Sequence, residues 1–417
     1  MNIRSITAFA DVTYPLELTS VAKIGEAAKI LREALQSAGF TVQTVRMAVQ
    51  PFPAILGNKG PNKAVELAKD LHAIAFVHEM DYVSLGPVRL DDPAAYLEIL
   101  LEILASTENV FASIEIASAS QGIDLARIRR TAALIQRVAT LGDDGFANLR
   151  LAALANVGAW SPFFPAAYHG GGAPRIALAM ESADLAVRAV GEATSLEDAR
   201  SRLIQSIERE AERINAVVTK TLKGTGIEFQ GFDFSLAPFP EEARSIGKAV
   251  ERLGLSAVGI YGTLMVSAFI ADALDRAKFQ RTGFCGLMFP ILEDSILAAH
   301  ASEGLLGITE LLTYAAVCGT GLDTIPLPGD ITEDILTGIL LDTAALGLRL
   351  GKPLTARLMP LPGKVAGDPV EFDFPYFAQS RVLAVKAGVV GGLVAGEERV
   401  QILPRGDSNP SKGLKTN

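Results

Sequence analysis

The sequence reads as α/β, a single barrel of about ten strands with its helices outside. Three observations carry this reading. Short apolar runs alternate with helical periodicities along most of the chain, which is the pattern of a parallel sheet with crossover helices. The runs are continuously apolar rather than alternating, as in strands covered on both faces. About ten of them occur, a high count for an open sheet and one that suits a closed barrel. One domain is expected over residues 1–403. The polar tail from Pro404 is expected to be disordered.

The first strand falls over 3–9, and a helix capped by Thr19 or Ser20 runs to about Ser37, where Gly39 stops it. A strand over 40–49, a helix over 63–78 and a strand over 82–87 follow. Asp91, Asp92 and Pro93 start a helix to about Ser106. A strand over 110–116 comes next, then a helix capped by Asp124 and a strand over 148–155. Residues 156–174 form a long loop holding Trp160, His169 and three consecutive glycines, the make-up of a site wall or interface rather than a linker.

A strand over 175–180 leads to the longest helix, opened by Ser195 and Asp198 in a near capping box. Strands over 227–236, 256–261 and 283–290 alternate with helices opened near Pro240, Thr263 and Glu293. An apolar helical run ends near Cys318. Gly319 and Gly321 allow a tight turn, and Asp323 heads a short β-prone run closed by Pro326 and Pro328. A helix over 332–350, strands over 354–361 and 379–385, and a short run over 370–374 complete the pattern.

The net charge of −9 and the lack of a basic stripe argue against nucleic-acid binding. Two cysteines, Cys285 and Cys318, rule out a disulfide framework and suit a reducing, cytoplasmic setting. The amino-terminal stretch carries no signal-peptide pattern. The apolar windows carry Glu98, Glu102 and Glu310 or are too short, so no membrane span is expected. With 49% hydrophobic residues, a homo-oligomer is expected, with a small molecule as ligand.

Sites in β/α barrels and open α/β sheets lie at the carboxyl ends of strands. That rule collects Glu115, Asn156, Asp233, Ser235, Tyr261, Gly262, Thr263, Glu293, Asp294, Cys318, Gly319, Gly321 and Asp323 onto one rim. Asp323 is a candidate acid or base, with a turn cap as the competing reading. Asp233 faces away from Phe232 and Phe234 on strict alternation and so into the barrel. Cys318 is a candidate nucleophile, but its place at a helix carboxyl end disfavours a thiolate and suits inert packing. His169 is the best placed of four histidines, and Gly170, Gly171 and Gly172 could cradle an anion on their amides. Zinc is not expected, because no second histidine is near. A hard divalent cation on Asp233, Glu293 and Asp323 is an open alternative. Glu293 and Asp294 also suit a helix start.

Four stretches carry a family resemblance: FDFSLAPFP (232–240), AVGIYGT (257–263), AAVCGTGLDTIPLPGD (315–330) and AAYHGGG (166–172). On these, and on NIRSITAF and VFASIEIASASQGID, the chain resembles an uncharacterised prokaryotic family, the domain of unknown function numbered seven-eleven. The resemblance covers essentially the whole chain. It implies a barrel of about ten strands similar to that of pyruvate formate-lyase, and it implies no activity. Two departures stand out: Cys285 within GFCGLMFP, and Gly172-Ala173 where relatives tend to carry a carboxylate. The glycyl radical loop of the RVxGY type is absent, since Arg381-Val382 is followed by Leu-Ala. The function expected is carboxylate acid/base chemistry on a small polar or anionic metabolite. The alternative is a non-catalytic binding or regulatory barrel, and no cofactor is named by the sequence.

Overall fold

The computed structural model describes residues 1–405. The tail expected to be disordered lies outside them, apart from Pro404 and Arg405. The strands are β1 (Asn2–Phe9), β2 (Val42–Ala48), β3 (Tyr82–Val88), β4 (Val110–Ser118), β5 (Gly122–Asp124), β6 (Leu151–Ala155) and β7 (Arg175–Glu181) in the first half. β8 (Glu228–Ala237), β9 (Gly321–Pro328), β10 (Leu354–Leu361), β11 (Pro369–Val370), β12 (Ser380–Arg381) and β13 (Arg399–Val400) follow.

β1, β2, β3, β4 and β6 lie side by side and parallel. Helices such as Leu18–Ser37, Ala64–Val77 and Leu125–Ala139 carry the chain back between them, which is what parallel neighbours require. The other four long strands run the opposite way. β7 pairs antiparallel with β1 and is extended by β8. β10 pairs antiparallel with β6 and is extended by β9. With the short β5 and β13, the result is a mixed, mostly parallel sheet of 11 strands flanked by helices.

The ordered path of this sheet ends at β8 and β9. The strand expected over 283–290, which would stand between them, does not form. Gly283 (φ 70°) and Cys285 (φ 43°) break the extended backbone. The segment nevertheless touches both edges. Thr282 N–H donates to the Phe232 carbonyl at 3.0 Å, and Gly319 N–H donates to the Leu287 carbonyl at 2.9 Å. There Gly286 and Gly319 cross so closely that a Cβ on Gly286 would lie 2.2 Å from Gly319 Cα.

The strand expected over 256–261 is also absent: Gly259 (φ 111°) turns the chain against the Leu305 carbonyl. The helix expected from Pro240 begins only at Ile246, with Ser245 as its cap, because residues 242–244 form a 3-10 turn. The strand expected over 379–385 shrinks to β12.

Thr19 and Ser20 lie inside the helix Leu18–Ser37, which starts after Glu17 with no side-chain cap, but two other caps follow the sequence. Asp124 accepts from Arg127 N–H at 2.8 Å and Ser195 from Asp198 N–H at 3.1 Å. The helix Leu196–Leu222 buries Ala199, Leu203, Ile207, Ala211, Ile214, Val218 and Leu222, a single stripe at steps of three and four residues. It packs on the helices Leu18–Ser37 and Thr263–Arg276. This outer layer, between sheet and helices, is where most of the apolar core sits.

Candidate functional site

Strand direction decides which residues meet. Asn2 stands opposite Glu181, Phe9 opposite Arg175, and Leu354 opposite Ala155. The amino ends of the first five parallel strands therefore share one end of the sheet with the carboxyl ends of β7, β8, β9 and β10. The single rim of carboxyl ends expected from the sequence is split by this arrangement. Asp233, Ser235 and Glu293 lie at one end. Glu115, Asn156, Cys318, Gly319 and Gly321 lie at the other, because Gly321 pairs with Thr355 beside the end of β6. Tyr261 is fully exposed on a loop, with Gly262 and Thr263 at the start of the helix behind it.

At the first end the sheet encloses a cavity that is partly open to solvent. Its polar lining includes Arg4, Thr44, Arg46, Asp233, Ser235, Glu293 and Arg357. Tyr82, Phe111 and Phe164 form an apolar wall, linked by edge-on ring contacts of 5.1 and 5.5 Å. The long loop supplies Pro162, Phe163 and Phe164 to this wall. Phe374 and Tyr376, from the segment between β11 and β12, complete the lining, and the Arg4 guanidinium lies 4.8 Å from the Tyr376 ring centroid.

Bulges place the charged side chains. The β1–β7 register slips between Ile3 and Ser5, at Arg4. The β9–β10 register slips opposite Arg357, where Asp323 and Thr324 both face that one residue and Thr324 has φ 49°. Leu236, with φ 47°, sits where β7 and β8 slip. An extra residue re-aims its neighbours and breaks strict alternation.

The charges form a chain. Arg357 donates from Nε to Asp323 Oδ1 at 2.6 Å and from Nη2 to Glu293 Oε1 at 3.0 Å. Arg4 pairs with the other oxygen of Glu293 and, at 3.3 Å, with Glu181. Glu181 also pairs with Arg244. Burial works against the charge on Arg4, but Glu293 and Glu181 hold its pKa above the usual value. Arg46 differs. Its Nε donates to Thr44 Oγ1 at 2.9 Å, and its guanidinium lies over the Phe164 and Tyr82 rings at 5.2 and 5.5 Å. Among the described residues it has no carboxylate partner. Burial, then repulsion from Arg4, pushes its pKa down to about 10. Glu293 owes its place to Asp294, which caps the helix Ser295–Ser302. Asp294 also accepts from Ser245 Oγ and Ile246 N–H, each at 2.6 Å, tying two helix starts together.

Asp323 does not line the cavity. It lies fully buried behind Arg357, its Oδ2 without a partner. Burial raises its pKa to about 6 despite Arg357, and Glu293 adds to the rise. A carboxyl whose folded pKa exceeds its unfolded value favours the folded state while protonated. The folded chain then binds more protons than the unfolded one between pH 4 and 6, so stability falls as pH rises through that window. The two-unit shift is worth about 3 kcal/mol. Asp323→Asn is expected to flatten the stability profile across that window in denaturant titrations. An unchanged slope would assign the titration to another group.

The other sequence candidates have partners of their own. Asp233 lines the cavity, as alternation along β8 implies, but both its oxygens are engaged by backbone. They accept from Phe284 N–H at 2.9 Å and Cys285 N–H at 3.0 Å, and one also holds Ser235 Oγ. Burial raises its pKa. Burial pushes the thiols of Cys318 and Cys285 up to about 12, so neither is poised as a thiolate. His169 is buried against Trp160, its Nδ1 accepting from Gly171 N–H at 2.9 Å, away from the cavity lining. The exposed Gly170 and Gly171 accompany it. Glu115 accepts from Leu90 N–H, and Asn156 from Ala119 N–H.

Among the described residues no cluster of three His, Cys, Asp or Glu side chains could hold a metal ion. The cation site considered for Asp233, Glu293 and Asp323 does not assemble. The first spends its oxygens on amides and the other two face arginines. Nor is any helix in these residues long and apolar enough to cross a membrane.

Sequence reasoning missed Arg4, Arg46, Arg357 and Tyr376. A usable signal was present: each arginine is a lone charge within an apolar strand (NIRSITAF, TVRMAV, LTARLMP), and such a charge needs a partner or a ligand.

A family model described as an uncharacterised ACR (DUF711) matches residues 1–379. A UPF0210 protein of Pyrobaculum arsenaticum is 35% identical over 349 residues, 79% of this chain and 76% of that protein. One from Methanopyrus kandleri is 30% identical over 83% of this chain and 80% of its own. One from Desulfovibrio desulfuricans is 30% identical over 89% of this chain and 88% of its own.

Proposed function

The chain belongs to the uncharacterised DUF711 family, and we propose that its cavity binds a small organic anion, with Glu293 placed to exchange a proton with it. The observation that carries this reading is Arg46. A guanidinium without a carboxylate partner, set among aromatic rings and beside a second arginine, is costly unless an anion joins it. Glu293 is the one carboxylate of the lining held by side chains rather than by backbone amides. Its arginine partners can turn to a ligand, and a carboxylate so released can take or give a proton.

We also read the sheet as a barrel of the pyruvate formate-lyase type, with residues 281–290 as the tenth stave. Their hydrogen bonds to the edges at β8 and β9 support this.

The test is a thermal-shift panel of small carboxylates and phosphates on the purified chain. A ligand at 100 times its dissociation constant adds about 2.7 kcal/mol of stability. Arg46→Gln is expected to weaken any anion found this way by about 30-fold or more. Equal shifts in the parent and the variant would end the proposal.

A second reading, binding without turnover, is favoured by one observation. Both Glu293 oxygens are already held by arginines. An identified ligand that binds and is not converted by the parent chain would put this second reading in place of the first, and a conversion that Glu293→Gln leaves unchanged would remove Glu293 from the chemistry.

A further inference from the structure

We propose that the anion taken by this cavity is a carboxylate carried on an aromatic or comparably large apolar body, rather than a phosphate ester. This rests on the anion-binding reading above and narrows it.

The count of free charge comes first. Three guanidinium groups line the cavity, but Arg357 is neutralised by Asp323 and Glu293, and Arg4 by Glu293 and Glu181. Among the described residues Arg46 is the one lining cation without a carboxylate partner, and the remaining lining carboxylate, Asp233, is held by backbone amides. A phosphate ester brings close to two negative charges at neutral pH. A carboxylate brings one, which Arg46 alone can match. Donor geometry agrees. With Nε committed to Thr44, Arg46 keeps its two terminal nitrogens, which match the two coplanar oxygens of a carboxylate. The phenols of Tyr82 and Tyr376 stand in the same lining.

The walls decide the rest of the molecule. Phe111, Phe163, Phe164, Phe374, Met180 and Met288 face the cavity. A small hydrophilic acid such as acetate would leave these surfaces against water, whereas a ring or branched chain would cover them. Aromatic side chains meet a planar ring favourably edge-on or offset, and Met adapts to its outline.

Titration calorimetry with acetate, 3-phenylpropionate and phenyl phosphate tests this on the full chain, together with Arg46→Gln and Ala179→Leu. Ala179 lines the cavity and is half-buried, so a larger side chain can enter the cavity there without displacing the core. We expect 3-phenylpropionate to bind about 100-fold more tightly than acetate and more tightly than phenyl phosphate. Arg46→Gln should weaken it at least tenfold, and Ala179→Leu should remove most of the advantage over acetate. Phenyl phosphate binding best, or acetate matching 3-phenylpropionate, would overturn this inference while an Arg46 dependence leaves the anion site standing. Binding of all three that ignores Arg46 would remove both.

Discussion

Replacing Arg357 by methionine is expected to destabilise the fold by about 3–5 kcal/mol, the usual cost of stranding a buried charge. Arg357 is almost wholly buried and contacts Asp323 and Glu293 at once. Glu293 keeps Arg4 after the change, but Asp323 keeps nothing. Adding Asp323→Asn should therefore restore part of the loss, and the double-mutant cycle would report their coupling. The cost should also grow from pH 5 to pH 8, because Asp323 is protonated at the lower value and needs no cation there. Denaturant titrations at the two pH values measure this. A loss under about 1 kcal/mol at pH 8 would mean that the pair carries little weight.

The second large effect is expected at the crossing of Gly286 and Gly319. A single added methyl on Gly286 meets backbone, not the movable end of a side chain. Overpacking of this kind costs about 3 kcal/mol, and here it must push residues 281–290 away from β9. Gly286→Ala should lower the unfolding free energy by about that amount, read from denaturant titrations. Gly388→Ala, where nothing lies within 4 Å, is the matched control and should be close to neutral. Equal effects at both positions would show that the crossing has no special tightness.

The sequence makes the parts of this molecule plain and leaves their directions obscure. Apolar runs and capping residues such as Asp124 and Ser195 announce the strands and helices, because those signals are local. Two apolar runs mislead. AVGIY and GFCGLMFP have strand composition, yet Gly259, Gly283 and Cys285 adopt positive φ and turn them into loops. The larger error concerns the site. Reading all strands as parallel gathers every carboxyl end onto one rim. Nothing local to residues 175–181 says that they will lie antiparallel to the first strand. The rim residues Asp233 and Glu293 were legible from their places at strand and helix ends. Arg4 and Arg357 carried the signal of a lone charge in an apolar strand, but their direction was not legible, because bulges aim them and a bulge has no sequence signature of its own there. Arg46 was legible in principle, as an unexplained charge in an apolar strand.

The two antiparallel seams have a consequence for synthesis. One joins Ile3 to Met180 and the other joins Ala155 to Leu354. A chain emerging amino end first can build its five parallel strands early. The β1 edge of that half-sheet then waits only for β7, the next strand made, whereas the β6 edge waits for β10. Arg4 stays at an open edge until β7 arrives, and the cavity has no Glu293 until residue 293 is made and no Arg357 until the last quarter of the chain. Contacts so distant in sequence make assembly slow. The nascent half-sheet, with its open edges, is the stage most open to wrong pairing and most in need of a chaperone.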